Sequence, residues 1–359
     1  MNKLIKAITG GSAIVPIVAI ILGLLVGAII MLIGGYDPIL AYRSLINKVF
    51  GNPYDFGETL TAITPLIFTG LSVAFAFRTG LFNIGAEGQY IMGMTGATII
   101  GVSVHLPWYI HAPLAVIVGA LFGGFWGMIA GYLKAARGVN EVITTIMLNW
   151  IALHLANYIV NDYLLEPGKG RSYMIDESAS VTIGWLSRLL EDARMHWGML
   201  IALLAVVFFY VFLWRTKQGY ELRVVGHNPD AAKYAGINVN RGVVKAMFIS
   251  GVLAGLAGVF QVLGVFLNQA VSASHTGHGF DGIAVALLGG NNPVGVLLGA
   301  ILFGSLSYGA AGMSFGADVP PEIIRIVIGT VIFFVAAPGI IRWIIKRRLP
   351  GKKSKGEVI

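Results

Sequence analysis

The 359-residue chain contains no cysteine and few charged residues. The lack of cysteine excludes disulfides, thiolate metal sites and thiol nucleophiles. Charged residues make up 12% of the chain, whereas a soluble domain carries roughly 25%. Hydrophobic residues reach 56%, and the mean hydropathy is +0.79. A water-soluble surface cannot be built from this composition, so lipid must surround most of the chain.

The motifs of common catalytic and nucleotide-binding sites are also missing. The sequence has no GxxxxGK[ST] phosphate loop, no HExxH pair and no credible catalytic triad. Its 7 histidines are scattered, and His275 and His278 have no evident third metal ligand beside them. We therefore expect no enzyme activity, no cofactor and no metal centre, and a membrane-embedded enzyme is disfavoured. Any energy for pumping must come from a partner or from an ion gradient.

Long apolar runs recur along the whole chain, and each is compared with the roughly 20 residues that a helix needs to cross the hydrocarbon core. The eighth run is too short to cross alone and is interpreted as a half-helix. The pattern predicts an all-α, polytopic membrane protein with about ten transmembrane helices. The predicted spans are 13–33, 58–78, 81–103, 111–133, 139–160, 197–214, 243–265, 280–291, 293–313 and 321–345.

The distribution of lysine and arginine decides between nine and ten crossings. Ten crossings that start from a cytoplasmic N-terminus place most of the 25 basic residues in the cytoplasm, including those of the tail 342–359. With nine crossings this strongly basic tail would face outward. We therefore expect both termini in the cytoplasm and a single transmembrane domain over 1–359. An outer loop at 161–196 and a cytoplasmic loop at 215–242 would be its two large non-membrane segments.

An internal repeat is indicated by the segments "PLAVIVGALFGG" from Pro113 and "PVGVLLGAILFG" from Pro293, which align without a gap. The predicted topology gives the two copies opposite directions across the membrane, and inverted repeats are a common plan of transport folds. The first copy also has glycines four residues apart, which predict close helix packing rather than ligand binding. These glycines are Gly119, Gly123, Gly127 and Gly131.

A short capped helix is predicted within "YELRVVGHNPDAAKYAGINVNR", residues 220–241. An N-cap, a proline at the first helical position, a first-turn acid, helix-forming residues and a left-handed stop follow one another. A helix of about two turns is unstable alone, so it must dock on something; an ordinary loop helix at the lipid surface is the alternative. Its residues are Asn228, Pro229, Asp230, Ala231, Ala232, Lys233, Tyr234 and Gly236.

The segment "GHNPDAAKYAGINV" resembles the cytoplasmic coupling segment of permease subunits in bacterial ABC importers, in the group that handles branched-chain amino acids, ribose and simple sugars. "FNIGAEGQ" resembles the subset that handles nucleosides and related simple sugars. The resemblance implies a multi-pass protein of the bacterial cytoplasmic membrane that moves such a substrate by alternating access. A branched-chain amino-acid permease and an ion-coupled secondary transporter remain as alternatives.

The resemblance also implies partners. A separate ATPase subunit would receive the helix that begins at Pro229 in a groove and would supply the phosphate loop that this chain lacks. A second permease chain, homologous or identical, would complete the pore. An extracellular substrate-binding protein or lipoprotein would dock on the outer face, where the loop 161–196 is the natural candidate. No nucleic acid is expected as a partner.

Polar residues within apolar runs are the candidates for a substrate path, because a carboxylate in a membrane span is costly and usually faces the bundle interior or water. The stretch "GLFNIGAEGQYIMGM", residues 80–94, predicts a broken helix in which Asn83 caps the new start. Residues that only tie helices together would look the same, and this alternative stays open. The candidates are Phe82, Asn83, Glu87, Gln89, Asn149, Asn157, Phe280 and Asp281.

Overall fold

A computed structural model describes residues 14–337 of the chain. The regular structure of this part is helical, with isolated β-bridges only, so the all-α class is confirmed for it. The α-helices are α1 Ile14–Ile33, α2 Pro38–Phe50, α3 Pro53–Arg78, α4 Ala86–Ser103, α5 Trp108–Arg137, α6 Glu141–Ile159, α7 Gly184–Leu189, α8 Gly198–Arg215, α9 Lys217–His227, α10 Pro229–Tyr234, α11 Val239–Gln261, α12 His278–Leu288, α13 Pro293–Ala317 and α14 Pro321–Ala336. The predicted tail 342–359 and the end of the predicted span 321–345 lie outside the described residues.

Six of the described helices are long and apolar enough to cross a membrane: α3, α5, α6, α8, α11 and α13, where single π-helical turns extend α6 to Leu164 and α11 to Phe266. The helices α1 and α12 contribute shorter apolar stretches. In α4, Glu87, Gln89 and several glycines and threonines lower the hydropathy of an 18-residue helix. The described part of the chain therefore has the composition of a multi-pass membrane protein.

Two helices that the hydropathy pattern did not predict lie between spans. Residues 38–50 form α2, and residues 217–227 form α9, whose N-cap Thr216 accepts a hydrogen bond from the Gly219 amide at 3.0 Å. The short helix α10 follows α9 after the single residue Asn228. It is therefore not isolated between two membrane spans, as its sequence suggested, but forms the end of a helical arm.

Residues 47–309 form one compact unit, and α3 and α11 lie at its centre. In their most apolar windows 83% and 78% of the residues are buried, against 33% to 44% in the other four spanning helices. Glycines allow α5 to approach α11 closely, because a Cβ at Gly123 would lie 2.6 Å from the Gly255 Cα. A Cβ at Gly127 would lie 2.5 Å from the Met247 carbonyl oxygen. The interpretation of these glycines as packing residues is confirmed.

The loop 161–196 lies across one end of this unit. The Asp176 amide donates to the Gly101 carbonyl at the end of α4, and the Ile175 amide donates to the Leu267 carbonyl after α11, both at 2.9 Å. The loop is also fastened to α3, since the Arg194 amide and guanidinium both donate to the buried Glu58 carboxylate. These hydrogen bonds raise the pKa of Arg194 above its usual range.

The opposite end of the same unit is marked by Arg78 at the end of α3. Its guanidinium donates to the Asn291 carbonyl at 2.7 Å and lies 5.7 Å from the Trp214 ring. Asn291 follows α12, whereas Gln269, ahead of α12, pairs with Ser172 of the loop 161–196. The segment 267–288 thus runs from one end of the unit to the other, although only its second part is helical.

The second unit, residues 1–46 and 310–359, is described within 14–46 and 310–337. Its apolar core contains Met31, Ala41, Met313 and Val327, each at most 2% exposed. Gly23 allows α1 to approach α14, because a Cβ there would lie 2.5 Å from the Val331 Cα. Small residues give such close approach where lipid provides no hydrophobic drive for association.

Candidate functional site

Two helix N-termini meet at Glu87 inside the unit 47–309. The chain between α3 and α4 is not helical at residues 79–85, so the predicted break is confirmed. Glu87 lies in the first turn of α4, and its carboxylate accepts hydrogen bonds from the Gly277 amide at 2.9 Å and the Gly279 amide at 2.6 Å, at the start of α12. The Thr276 hydroxyl donates a third bond at 2.8 Å. The first turn of a helix favours an anion, and here one fully buried carboxylate serves two helices.

Asn83 and Gln89 pair with each other across the break. The Asn83 amide donates to the Gln89 Oε1 at 2.8 Å, and the Gln89 amide donates to the Asn83 Oδ1 at 3.0 Å. Asn83 also donates to the Ser250 hydroxyl, which lies 3.0 Å from the Ser72 hydroxyl. The prediction that Asn83 caps α4 was wrong: the N-cap position is Gly85, whose amide donates to Asn83. This buried network ties α3, α4 and α11 together.

The two asparagines of α6 also bind backbone groups. Asn149 accepts from the Gly88 amide at 2.8 Å and donates to the Ile84 carbonyl at 3.1 Å. Asn157 donates to the Ser272 carbonyl at 2.7 Å and accepts from the Ser272 amide at 3.1 Å. Asn149 therefore holds α6 against the start of α4 and the break before it, and Asn157 holds α6 against the non-helical segment at Ser272, which is the helix-tying alternative considered above.

The non-helical segment 267–277 is exposed along part of its length. Ala273, Ser274 and Thr276 are exposed, and the segment lies between the two ends of the unit. Irregular backbone at membrane depth occurs only where protein buries it or where it lines a water-filled cavity, because lipid cannot satisfy its polar groups. The exposed side of this segment therefore faces water or a partner protein rather than lipid.

Four rings stand together at this segment, and we call them the aromatic wall: Trp150, His154 and Phe280, which are exposed, and His275, which is half-buried. The His275 ring lies 4.6 Å from the Trp150 ring and 5.8 Å from the Phe280 ring, both edge to face, and His154 stacks on Trp150 at 6.3 Å. Trp150 is 48% and Phe280 40% exposed. Of these four residues, Phe280 was among the candidates for the substrate path that the sequence analysis named.

The remaining candidates are placed differently. Phe82 packs on Phe77 at 4.9 Å and is half-buried. Asp281 is half-buried in the first turn of α12. Tyr90, which the sequence offered as a further ring, is fully buried against His278 at 5.4 Å. The structure thus brings Glu87 and Phe280 to one place, together with Trp150, and leaves Phe82 outside the wall.

The depth of this place follows from helix geometry. Trp150 lies nine residues after Glu141, where α6 begins, and at 1.5 Å per residue this is about 14 Å. The hydrocarbon core of a bilayer is about 30 Å thick. Glu87 lies at a similar level, since the amide of Gly88 binds Asn149. The junction of α4 and α12 is therefore near the middle of the membrane.

The second candidate site is the arm formed by α9 and α10. Asn228 accepts from the Ala231 amide at 3.0 Å, Pro229 occupies the first helical position, and Gly236 has φ +78°. The predicted capped helix is thus present, and it ends at Tyr234. Ala232 is fully buried, while Tyr234 is 97% exposed. Ala232 therefore seats the helix on its own chain, and Tyr234 presents a ring to the surroundings.

The arm touches the break after α3 directly. A Cβ at Gly226 would lie 2.3 Å from the Thr79 carbonyl carbon, and Gly80, at φ +75°, has the Gly226 Cα at 2.4 Å. Only glycine fits both positions, because a side chain would collide with backbone and because φ is positive at Gly80. This contact joins α9 to the segment 79–85, which leads to α4 and Glu87.

Comparison with known proteins decides the family. The family described as "Branched-chain amino acid transport system / permease component" matches residues 56–336. The chain belongs to this family. The resemblance to ABC importer permeases, which rested on the segments around Asn83 and Pro229, is confirmed. This family member is a transport subunit and not an enzyme, and with its six apolar spanning helices it is a multi-pass membrane protein.

Three relatives show which members of the family this chain resembles. The guanosine ABC transporter permease protein NupP of Bacillus subtilis is 49% identical over 331 residues, which cover 92% of this chain and 95% of the relative. The nucleoside ABC transporter permease protein NupB of Lactococcus lactis subsp. cremoris is 40% identical over 95% of this chain and 94% of its own length. The glucose ABC transporter permease protein TsgB13 of Haloferax volcanii is 31% identical over 89% and 86%.

Proposed function

We propose that this chain is the translocation subunit of an ABC importer for nucleosides in a bacterial cytoplasmic membrane. The two relatives with the higher identities among the three carry guanosine and nucleoside in their names, at 49% and 40% identity, while the glucose permease reaches 31%. A branched-chain amino acid would need partners for both its ammonium and its carboxylate. The carboxylate of Glu87 is already taken up by three donors, so it offers little to an ammonium group.

The observation that carries the proposal is the exposed, non-helical segment 267–277 near the membrane middle, beside the junction of α4 and α12. Transporters commonly bind substrate at the midplane, where broken helices meet at the interface of inverted repeats. We assign the substrate path to the exposed side of this segment. Phe280 and Asp281 would line it, whereas Asn83, Glu87, Gln89, Asn149 and Asn157 would hold its walls in place. Phe82 would support the break from behind.

The arm at the other end of the unit supplies the coupling. We infer that α10 seats in the ATPase subunit, with Asn228, Pro229, Asp230, Ala231 and Lys233 around the exposed ring of Tyr234, and with Ala232 and Gly236 shaping the helix. Closure of the ATPase would move α9, and α9 would move the segment 79–85 through the contact of Gly226 with Gly80. This path joins ATP hydrolysis elsewhere to the junction at Glu87.

The packing of the unit 47–309 supports an inverted repeat of α3–α5 and α11–α13. Helix α4 packs on α11, and α12 packs on α3. The middle helix of each copy therefore packs on the first helix of the other copy. Likewise α5 packs on α11, and Gly304 of α13 lies against Ile63 of α3. The non-helical residues 267–277 complete the crossing that α12 alone is too short to make. Ten crossings with both termini in the cytoplasm, and one permease domain over 1–359, remain part of this proposal.

Single cysteines test this topology, because the chain has no cysteine of its own. We expect Arg188→Cys, in the loop 161–196, to react with a membrane-impermeant maleimide in intact cells. Lys217→Cys, at the start of α9 and outside the proposed docking helix, should react only in inverted vesicles. Both side chains are exposed, so a difference reports sidedness. Labelling of both variants from the same side would disprove the topology.

The contact between the arm and the break gives a further prediction. Gly226→Ala should reduce uptake several-fold while the permease remains in the membrane, because the added Cβ pushes α9 away from Thr79. Gly184→Ala is the control, since nothing lies within 4 Å of its Cβ position. Uptake and ATPase copurification are measured for both variants. Undiminished uptake by Gly226→Ala would show that this contact transmits nothing.

The proposed function is tested with the complete importer. The tagged chain is purified with the subunits that accompany it and reconstituted in liposomes with the binding protein of the same system. We expect ATP to drive uptake of labelled guanosine or adenosine, and an ionophore to leave this uptake unchanged. Uptake of glucose or leucine in place of nucleosides would contradict the proposed substrate, and uptake that needs an ion gradient without ATP would contradict the mechanism.

A further inference from the structure

We propose that the aromatic wall is a binding site for the nucleobase in the substrate path. Within the wall, Trp150, His275 and Phe280 would contact the base. The proposal rests on the function proposed above and adds the part of the substrate that this chain recognises. A nucleoside differs from a plain sugar by a flat, aromatic base with hydrogen-bonding edges. The site would bind that base and not the sugar.

The rings of the wall leave flat surface open for stacking. His275 stands edge-on to Trp150 and to Phe280, at interplanar angles of 75° and 74°. Trp150 and Phe280 are 48% and 40% exposed, so both leave ring surface free. Aromatic side chains bind bases of any identity by stacking, because every base has a π-face. The wall thus provides stacking surface without selecting one base.

His275 also provides a polar group. Its Nε2 is buried and has no hydrogen-bond partner among the described residues. A buried polar atom without a partner is costly, and in a binding site this cost is removed when a ligand supplies the missing bond. A base offers both donors and acceptors on its edge, so either tautomer of His275 finds a partner there.

The position of the wall argues against lipid as its occupant. Ser274 and Thr276 are exposed beside it, and so is His154, which stacks on Trp150. Polar groups at this depth face water or protein rather than acyl chains. The exposed ring of Phe208 in α8 differs in this respect, because it lies in a groove whose lining residues, on α8 and α11, are all apolar. Phe208 is 47% exposed and serves as a matched control for Phe280.

The first experiment uses Phe280→Cys as the only cysteine of the chain, in vesicles that hold the complete importer. We expect it to react with a hydrophilic thiosulfonate reagent, and we expect adenosine, but not ribose at the same concentration, to slow that reaction. Failure to react would place lipid or protein over the wall and overturn the proposal. Equal protection by ribose and adenosine, or protection by neither, would also overturn it.

A second permease chain over the wall is tested with the same variant and with Trp150→Cys. If the wall is an interface between permease chains, oxidation will cross-link either cysteine to the neighbouring permease, or the cysteine will stay unreactive. Either result overturns the proposal. Reaction with the soluble reagent, without cross-linking, supports it.

The second experiment measures transport. Phe280→Ala and Trp150→Ala should each reduce adenosine uptake about tenfold, as expected for the loss of one base-stacking surface. Phe208→Ala should leave uptake unchanged, and all variants should keep the level of copurified ATPase. If both wall variants keep full uptake while the wild-type vesicles are active, the wall does not bind the nucleobase, and the proposed function still stands. Absent adenosine uptake by the wild type overturns both.

Discussion

Tyr234→Asp should lower nucleoside uptake at least about thirtyfold without reducing the amount of permease in the membrane. A ring that is 97% exposed at the end of α10 makes no packing contribution to its own chain. Aromatic residues that bury themselves at the centre of an interface typically contribute 2 kcal/mol or more, which is about thirtyfold in affinity. The measurement is ATPase copurification together with uptake in the same vesicles.

Two controls separate docking from folding. Tyr163→Asp changes another exposed tyrosine, 70% exposed beside the outer loop, and should leave ATPase copurification unchanged. Ala232→Glu should lower both copurification and the thermal stability of the arm, because Ala232 is fully buried. If Tyr234→Asp retains normal copurification and uptake, α10 is not the docking element.

Glu87→Gln should reduce uptake about a hundredfold and destabilise the permease by about 3 kcal/mol. The carboxylate accepts three hydrogen bonds, two of them from the amides of Gly277 and Gly279. The amide group of glutamine turns one acceptor into a donor that faces these N–H groups. Hydrogen bonds to charged groups contribute about 1.5–3 kcal/mol, and a buried donor left without a partner adds to the loss.

The measurement is uptake in reconstituted vesicles together with the melting temperature of the purified importer. Glu221→Gln is the matched control, because its side chain is 37% exposed on α9 and pairs only loosely with Lys217 at 3.8 Å. It should keep both uptake and melting temperature. An unchanged melting temperature for Glu87→Gln would show that the Glu87 carboxylate does not hold the N-termini of α4 and α12 together.

The local features of the arm were predictable, since a helix cap is decided within a few residues. Asn228, Pro229 and Gly236 each have a backbone preference that the sequence displays directly. The helix α9 ahead of them was missed because the hydropathy signal of a membrane span is absent there. The contact of Gly226 with Gly80 joins segments far apart in the chain, and no local preference reveals it.

The polar residues of the membrane interior show the limit of sequence reasoning more sharply. Their identity and their placement in apolar runs identified Glu87 and Asn83 as special, but not what they bind. The partners of Glu87 are backbone amides of Gly277 and Gly279, which carry no side-chain signature of their own. His275 was considered only as a metal ligand beside His278, because it lies in an irregular segment whose lack of periodicity gives no sign of its surroundings. Its neighbours Thr276 and Gly277, just ahead of a short apolar helix, were the available signal.

The hydrogen bonds to the Glu87 carboxylate bear on how the membrane potential is maintained while the substrate path is open. Three of the roughly four acceptor positions of this carboxylate are engaged by Gly277, Gly279 and Thr276, so little capacity remains to bind a passing sodium or potassium ion. An uncharged nucleoside needs no such counter-charge. The substrate can therefore pass a site that contains a carboxylate, although that carboxylate has little capacity left to bind small cations.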